Sequence, residues 1–335
     1  MTAVGGSIAL NDKGLKMSSG YPLASIIVPM RNAESYVSEA LFSILQEKDI
    51  AIEVIVVNDR STDLSLKRVL EFRDDRIRVI EGSARGIAAC MNTGLAEARG
   101  AIIMRCDADD LYPQARIRQQ VRWLESHPEF DAVCGAFSTL DRRGTKVTDL
   151  QCGPEPHDIT EELIGGRVRT HLCTYAIRSS LIARVGGFRE YFESAEDVDF
   201  QLRLSERGRI FYVPTIWYCY RVHETSVTHT QNSEVREFFE QMAFDLHKQR
   251  RLSGQDDLEK GLLLWKPADD GSTPNTARNH IAGLLLGRAW REHRAGNKTQ
   301  ALKTGLRALA ASPLRINAWK SILSLVLKSR HEAAP

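Results

Sequence analysis

The sequence has no long apolar run, no excess of charge of one sign and no cysteine motif. The apolar segments IAGLLLG and SILSLVLK are much shorter than the roughly 18 residues that a membrane-spanning helix needs, so we predict no transmembrane span. The 45 Lys and Arg residues nearly balance the 43 Asp and Glu residues, which argues against a nucleic-acid partner. The N-terminus lacks the basic and apolar regions of a signal peptide, and we expect residues 1–21 to form a loose tail.

Cysteines are few and scattered. No CxxC pair and no spacing typical of metal ligands is present, so we predict six free thiols in a reducing compartment. These residues are Cys90, Cys106, Cys134, Cys152, Cys173 and Cys219. Together with the missing signal peptide, this pattern predicts a cytoplasmic protein that contacts the inner face of a membrane only peripherally, if at all.

Short apolar runs alternate with helical patterns from residue 22 to about residue 140. The runs predict strands, and the amphipathic segments between them predict helices, one of which we expect Gly100 to terminate. This alternation is typical of βαβ units and of a parallel sheet that is buried on both faces. Ligands of such sheets bind beyond the carboxyl ends of the strands, so the residues at the strand ends become the candidates for function.

Acidic residues follow two of these predicted strands. The run AIIMRC is followed by Asp107, Asp109 and Asp110, and the run IEVIVVN is followed by Asp59. Folding alone does not require three carboxylates side by side, because like charges repel. Carboxylates without neighbouring His or Cys clusters suit Mg²⁺ or Mn²⁺, and Mg²⁺ usually completes its shell with substrate phosphates. The predicted ligand is therefore a nucleoside diphosphate. Asp63, by contrast, is equally compatible with capping the next helix.

The middle of the chain has a different pattern. The segment DRRG predicts a hairpin turn at Asp141–Gly144, and GRIFYVPTIWYCYRVH predicts two short strands around Pro214. The segment ESAEDVDFQLRL predicts a helix with Glu196, Asp197 and Asp199 in its first turn. The helix dipole accounts for one acid there, and a surplus carboxylate could serve as a general base. After Ser233 the pattern is helical.

Four segments between Pro22 and Val227 together resemble the family 2 glycosyltransferases, which have the GT-A fold. In order, they are ASIIVPMRNAESYVSEALFSIL, IEVIVVNDRSTD, GIAACMNTGLAEARGAIIMRCDADD and EDVDFQLRL. The resemblance implies an α/β fold with a Rossmann-like, mainly parallel central sheet flanked by helices. It also implies a catalytic domain over residues 22–230, with a nucleotide-sugar-binding half (22–140) and an acceptor-side half (141–230). A C-terminal helical region would follow over residues 231–335.

The same resemblance implies a donor site at the strand ends. Asp59 would hydrogen-bond the nucleobase, with uracil favoured, and Asp107 would contact the ribose. The metal, Mn²⁺ or Mg²⁺, would be held by Asp109 and Asp110, with His223 as a ligand from late in the chain or simply as a structural residue. The remaining residues that we assign to nucleotide binding are Pro29, Arg31, Asn32 and Arg85.

The acceptor side and the reaction follow from the resemblance too. Asp197 would be the catalytic base of an inverting transfer from a nucleoside-diphosphate sugar, and we assign Glu196 and His171 to the acceptor side. The expected partners are a UDP-sugar and a saccharide or glycolipid acceptor in surface polysaccharide or glycolipid assembly. Asn58 and Arg60 depart from the Asp-Asp-Gly-Ser pattern of the family, so the identity of the donor stays open.

Other classes are compatible with parts of the pattern. A sugar nucleotidyltransferase also binds Mg²⁺ and a nucleotide, but the first strand is followed by PMRNAESY, which has no glycine-rich phosphate loop. A phosphatase with an aspartyl nucleophile would need an acid where this chain has Pro29. A catalytically degenerate binding or scaffold module is a further alternative. The C-terminal segment INAWKSILSLVLKSR either packs on the preceding helices or lies on a membrane surface.

Overall fold

The computed structural model describes residues 23–150, 152–226, 233–262, 264–266, 276–314 and 316–327. The predicted N-terminal tail lies outside these residues. The strands are Ala24–Met30 (β1), Ile52–Asn58 (β2), Ile77–Glu81 (β3), Ile102–Arg105 (β4), Ala132–Leu140 (β5), Lys146–Leu150 (β6), His157–Asp158 (β7), Ala176–Arg178 (β8) and Ile210–Arg221 (β9). The helices are Val37–Leu45 (α1), Ser65–Leu70 (α2), Ile87–Glu97 (α3), Arg116–Ser126 (α4), Thr160–Ile164 (α5), Ser179–Val185 (α6), Glu196–Ser205 (α7), Ser233–Ser253 (α8), Ala277–Arg294 (α9), Lys298–Ala311 (α10) and Ile316–Leu327 (α11).

The strands form one mixed sheet in the order β3-β2-β1-β4-β8-β5-β9-β7, with β6 paired to β5. The first four strands of this order are parallel, whereas β8 runs antiparallel to β4. The register pairs Met30 with Asn58 and Asn58 with Glu81, so the ends of the first strands lie side by side. The prediction of an α/β sheet flanked by helices is confirmed. The antiparallel strands lie in the half where the sequence no longer alternates strand and helix.

The core explains why the first strands are mostly apolar. Every residue of β1 and β2 is buried, as expected for strands covered on both faces. Helix α3 packs closely on β1, because a Cβ at Gly94 would lie 2.4 Å from Cγ2 of Ile27. Gly100 does not terminate α3, contrary to the prediction. It is needed instead for close approach to β1, since a Cβ there would lie 2.5 Å from the Ser25 nitrogen.

Three further predictions from the sequence can be compared with the structure. The hairpin turn at Asp141–Gly144 is confirmed, because the Asp141 N–H donates to the Thr145 carbonyl at 2.8 Å. The two strands predicted around Pro214 are wrong, since β9 runs through this residue without a break. Strand β7 pairs with β9 only at Phe211 and Tyr212, so Pro214 lies beyond their last pair, where a missing N–H is tolerated. The six cysteines are free thiols, as predicted.

The chain divides into two compact units. The described part of the first comprises residues 23–137, 152–219, 238–262 and 264–266, and that of the second comprises residues 138–150, 220–226, 233–237, 276–314 and 316–327. In the second unit, Trp290 of α9, Ala301 of α10 and Leu325 of α11 form a small core. None of the helices in the described part of the chain is long and apolar enough to cross a membrane.

Candidate active site

Asp59 lies directly after β2 and is held by backbone groups. Its N–H donates to the Met30 carbonyl at 2.8 Å, and its Oδ1 accepts from the Ala84 N–H at 2.7 Å. The side chain is buried, and a Cβ at Gly82 would lie only 2.8 Å from Oδ1. Burial and, after it, the charge of Asp59 raise the pKa of the neighbouring Cys90 thiol to about 12. Asp59 is therefore a fixed acceptor at the end of the sheet.

The other residues assigned to nucleotide binding differ in their burial and in their contacts. Pro29 is buried within β1, and Arg31 is exposed just after it. Asn32 has a φ of 51° and accepts from the Thr62 N–H at 2.8 Å, so it supports the turn after β2. Arg85 is exposed and forms an ion pair with Glu190 at 2.8 Å.

Asp63 has a structural position. Its Oδ1 accepts from the Ser65 N–H at 2.9 Å, and its Oδ2 accepts from the Glu34 N–H at 3.1 Å. Burial opposes ionisation of Asp63, but these hydrogen bonds outweigh it and lower its pKa. The side chain therefore stabilises the entry into α2 rather than pointing towards a ligand.

The three acids that follow β4 have three different environments. Asp110 is completely buried, and its Oδ2 accepts a 2.6 Å hydrogen bond from the Tyr218 hydroxyl. Asp109 is partly exposed. Asp107 is partly exposed too, and its N–H donates to the Tyr218 oxygen at 3.1 Å. Tyr218 thus fixes the turn that presents Asp107 and Asp109.

Arg105, the last residue of β4, joins Asp107 to helix α7. Its Nε and Nη2 donate to the two carboxylate oxygens of Asp107 at 2.7 and 3.2 Å. Its Nη1 donates to Oε1 of Glu196 at 3.1 Å. Burial opposes ionisation of Asp107, but the charge of Arg105 outweighs it and lowers the pKa of Asp107. One buried guanidinium therefore positions both acidic motifs.

The acids in the first turn of α7 have different environments. Glu196 is buried, and this burial, together with the charge of Asp197, raises its pKa to about 7 despite Arg105. Asp197 is partly exposed, and its Oδ1 accepts from the Val198 N–H at 2.9 Å. Glu196 is thus directed inward at Arg105, whereas Asp197 can reach solvent at the mouth of the helix.

Asp199, the third acid of this turn, belongs to a buried ion network. Arg189 donates to both of its carboxylate oxygens, at 2.6 and 3.0 Å, and Arg203 donates to Oδ2 at 2.9 Å. Arg189 also reaches Asp256 at 2.6 Å, and Asp256 contacts Arg250 of α8. The network fixes the loop that leads into α7.

The two candidate histidines lie in different units. His171, in the first unit, is nearly parallel to the ring of Tyr218, with centroids 6.1 Å apart, and helps to lower the pKa of Asp107. His223 lies in the second unit, is buried, and its Nδ1 is 2.9 Å from the Thr225 hydroxyl. Its role as a metal or diphosphate ligand stays a prediction.

The sequence reasoning did not identify Arg105 and Tyr218 as site residues. A signal was present for Arg105, because an arginine at the end of a buried apolar strand needs an anionic partner. Tyr218 has no such signal, since an aromatic residue in an apolar strand is ordinary core material.

The side chains suit a metal that is bound partly by its substrate. Among the residues that the structure describes, no group of three or more His, Cys, Asp and Glu side chains could hold a metal ion. Asp110 is buried against Tyr218 and Asp107 is held by Arg105, whereas Asp109 is partly exposed. One carboxylate ligand from the protein is compatible with an Mg²⁺ or Mn²⁺ ion, because phosphate oxygens of the substrate can complete the coordination shell.

Comparison with solved structures establishes the class of fold. The crystal structure of S. aureus TarS residues 1–349 in complex with UDP-GlcNAc is similar to this chain, with a TM-score of 0.58 and 20% sequence identity. The similarity covers 90% of this chain and 79% of that one. The same TarS fragment in complex with UDP gives a TM-score of 0.55 at 21% identity, over 91% of this chain and 81% of that one. The fold is the GT-A type, as predicted.

Comparison of the sequence establishes the family. The model of glycosyl transferase family 2 matches residues 25–192, and the chain belongs to this family. The uncharacterized glycosyltransferase EpsJ of Bacillus subtilis (strain 168) is 32% identical over 218 residues, which are 62% of this chain and 63% of EpsJ. An uncharacterized glycosyltransferase of Rickettsia typhi is 27% identical over 231 residues, which cover 67% of this chain and 71% of that protein. This chain thus spans less than two thirds of the length of EpsJ.

Proposed function

We propose that this protein is an inverting glycosyltransferase that moves a sugar from a nucleoside-diphosphate sugar to an acceptor hydroxyl. One observation carries the proposal: Arg105 connects the acids after β4 with the first turn of α7. Membership of glycosyl transferase family 2 supports the same reaction class. The proposed catalytic domain spans residues 22–230, with donor binding in residues 22–140, and the helical region spans residues 231–335.

The proposed donor is a UDP-sugar. Asp59 is a fixed, buried acceptor at the end of β2, suited to the N–H edge of a uracil, and Pro29, Arg31, Asn32 and Arg85 complete the nucleotide side. Asp107, oriented by Arg105, would accept from a ribose hydroxyl. S. aureus TarS, whose fold is similar, has been crystallised with UDP-GlcNAc, which supports a uridine nucleotide.

Asp109 is the residue that we propose holds the divalent cation, because Asp110 is buried against Tyr218. Bound Mg²⁺ or Mn²⁺ would neutralise the negative charge that develops on the diphosphate.

Asp197 is the proposed general base. Its carboxylate would take the proton from the acceptor hydroxyl as the hydroxyl oxygen attacks the anomeric carbon. The new C–O bond forms on one face of the sugar while the bond to the diphosphate oxygen breaks on the other, and its electron pair leaves with UDP. Glu196 holds Arg105 in place, and His171 lies beside Asp107 on the proposed acceptor side.

The proposed acceptor is a saccharide or a glycolipid used in surface polysaccharide assembly. We propose that the protein is cytoplasmic and works at the inner face of a membrane.

Release of UDP from a panel of UDP-sugars, with Mn²⁺ and water as the acceptor, tests this function. We expect Asp197→Asn to lower turnover at least 100-fold, in the range of general-base removal, while UDP binding measured by calorimetry is unchanged. Glu193→Gln changes an exposed acid of the preceding loop and is the matched control, with normal turnover expected. Turnover in Asp197→Asn equal to wild type would refute the assignment of the base.

A further inference from the structure

Helix α11 has an apolar face that is exposed. Trp319, Leu323 and Leu327 expose 57%, 61% and 73% of their surface, respectively. Ile316 and Val326 lie on the same side of the helix by their spacing and are exposed as well. We name these five residues the outer face of α11. They cover three turns of the helix, which is more than the isolated apolar side chains found on any protein surface.

The opposite side of α11 packs against helices α9 and α10. Ala318 and Leu325 are fully buried, and Leu325 contacts the cluster of Ala289, Trp290 and Ala301. A Cβ at Gly305 of α10 would lie 3.2 Å from Cγ1 of Ile322, so these two helices are in close contact. The packing of α11 therefore does not involve its outer face, so packing does not explain why that face is apolar.

The charge of the surrounding helices indicates what this face meets. Residues 276–327 contain nine Lys and Arg residues but one acid, Glu292, whereas the rest of the chain contains 36 Lys and Arg residues and 42 Asp and Glu residues. Glu292 accepts from Arg288 at 2.8 Å and from Thr304 at 2.7 Å. The exposed bases are Arg278, Arg291, Arg294, Lys298, Lys303, Arg307 and Lys320. Positive charge is thus concentrated in the helices that accompany the apolar face.

We propose that the outer face of α11 binds the surface of a membrane that contains anionic lipids. The apolar side chains would enter the boundary between headgroups and acyl chains, and the bases would contact lipid phosphates. A second copy of the chain is disfavoured as the occupant, because two strongly positive surfaces would face each other. The inference rests on the proposed function in one respect: it assigns the surface by which the enzyme would reach a membrane-bound acceptor.

Co-sedimentation of the full chain with phospholipid vesicles tests this surface. We expect binding to vesicles with about one third phosphatidylglycerol, weak binding to pure phosphatidylcholine, and loss of binding in about 0.5 M salt. Trp319→Glu combined with Leu323→Glu should lower the bound-to-free ratio at least tenfold. The matched control is Phe42→Glu with Leu70→Glu, which are 63% and 65% exposed in the first unit and should bind like wild type.

A second variant keeps the test valid if the first one folds poorly by circular dichroism. Lys303→Glu with Arg307→Glu should weaken binding to anionic vesicles several-fold while leaving the apolar face intact. Wild-type protein that stays in the supernatant would overturn the proposal, as would variants that bind like wild type. A dimer in sedimentation equilibrium that Trp319→Glu with Leu323→Glu dissociates would identify a second copy as the occupant. UDP binding is measured on the same samples, so that failure of the donor site is seen separately.

Discussion

Arg105 and Glu196 lie 3.1 Å apart although 91 residues separate them in the sequence. The contact joins the end of β4 to the first turn of α7. Because the same guanidinium also holds Asp107, this carboxylate and the helix that carries Asp197 are positioned by a single buried cation. Both partners and Arg105 itself are at most one-fifth exposed, so the pairs are only partly screened by water.

Arg105→Lys tests this positioning. Lysine keeps the charge but lacks the planar fork that contacts both Asp107 and Glu196, so we expect turnover of UDP-sugar to fall about 10- to 100-fold. Kinetics of UDP release, with melting temperature as a check on folding, measure the effect. Arg209→Lys, at an exposed ion pair with Asp158, is the control and should keep wild-type rates. A rate unchanged by Arg105→Lys contradicts the positioning role.

Glu196 makes stability depend on pH. Its pKa of about 7 lies above the ordinary value of 4.5 for Glu. Between these values the folded protein holds a proton that the unfolded chain has lost, so stability falls as pH rises. Gln cannot titrate. As the pH rises from about 5 to about 8, the free energy of unfolding should therefore fall less in Glu196→Gln than in wild type. We expect the two decreases to differ by roughly 1–3 kcal/mol.

Urea unfolding at several pH values measures this difference. If the free energies of unfolding of wild type and Glu196→Gln ran parallel across this range, the raised pKa of Glu196 would be wrong. Glu193→Gln, at an exposed acid of the loop that precedes α7, is the control for the change from Glu to Gln.

The ion network around Asp199 and Asp256 is expected to stabilise the fold. Asp256 is fully buried between Arg189 and Arg250, so Asp256→Asn removes a buried negative charge that both guanidinium groups contact. We expect a loss of about 3–5 kcal/mol in the free energy of unfolding. Asp158→Asn, at the exposed pair with Arg209, should cost less than about 1 kcal/mol. Equal effects of the two substitutions in urea unfolding would show that the network adds no stability.

Local sequence patterns predicted the positions of the acids well. Asp59 and Asp107 follow buried strands, and a parallel sheet brings strand ends to one edge, so their placement follows from alternation of strand and helix. The different burial and contacts of Asp107, Asp109 and Asp110 could not be predicted from these patterns. They depend on Arg105 and Tyr218, and Tyr218 lies 108 residues from Asp110 in the sequence.

Two errors have the same origin. Gly100 has the position of a helix stop in the sequence, but its lack of a side chain is required by contact with Ser25 of a distant strand. Pro214 was expected to break β9, but the strand pairing on its side ends at Tyr212. In both cases the residue type depends on the tertiary surroundings, and a single sequence does not show which residues lie there.

Binding of UDP tests the central claim most directly. Isothermal titration calorimetry with and without Mn²⁺ would be carried out on wild type, Asp109→Ala and the surface control Asp75→Ala. We expect metal-dependent UDP binding by wild type and Asp75→Ala, and at least a tenfold weaker, metal-independent response from Asp109→Ala, because Asp109 would hold the cation that offsets the negative charge of the diphosphate. If neither UDP nor GDP, dTDP or CDP bound in the presence of metal, the donor site would be refuted and the reading of the chain as a glycosyltransferase would be contradicted.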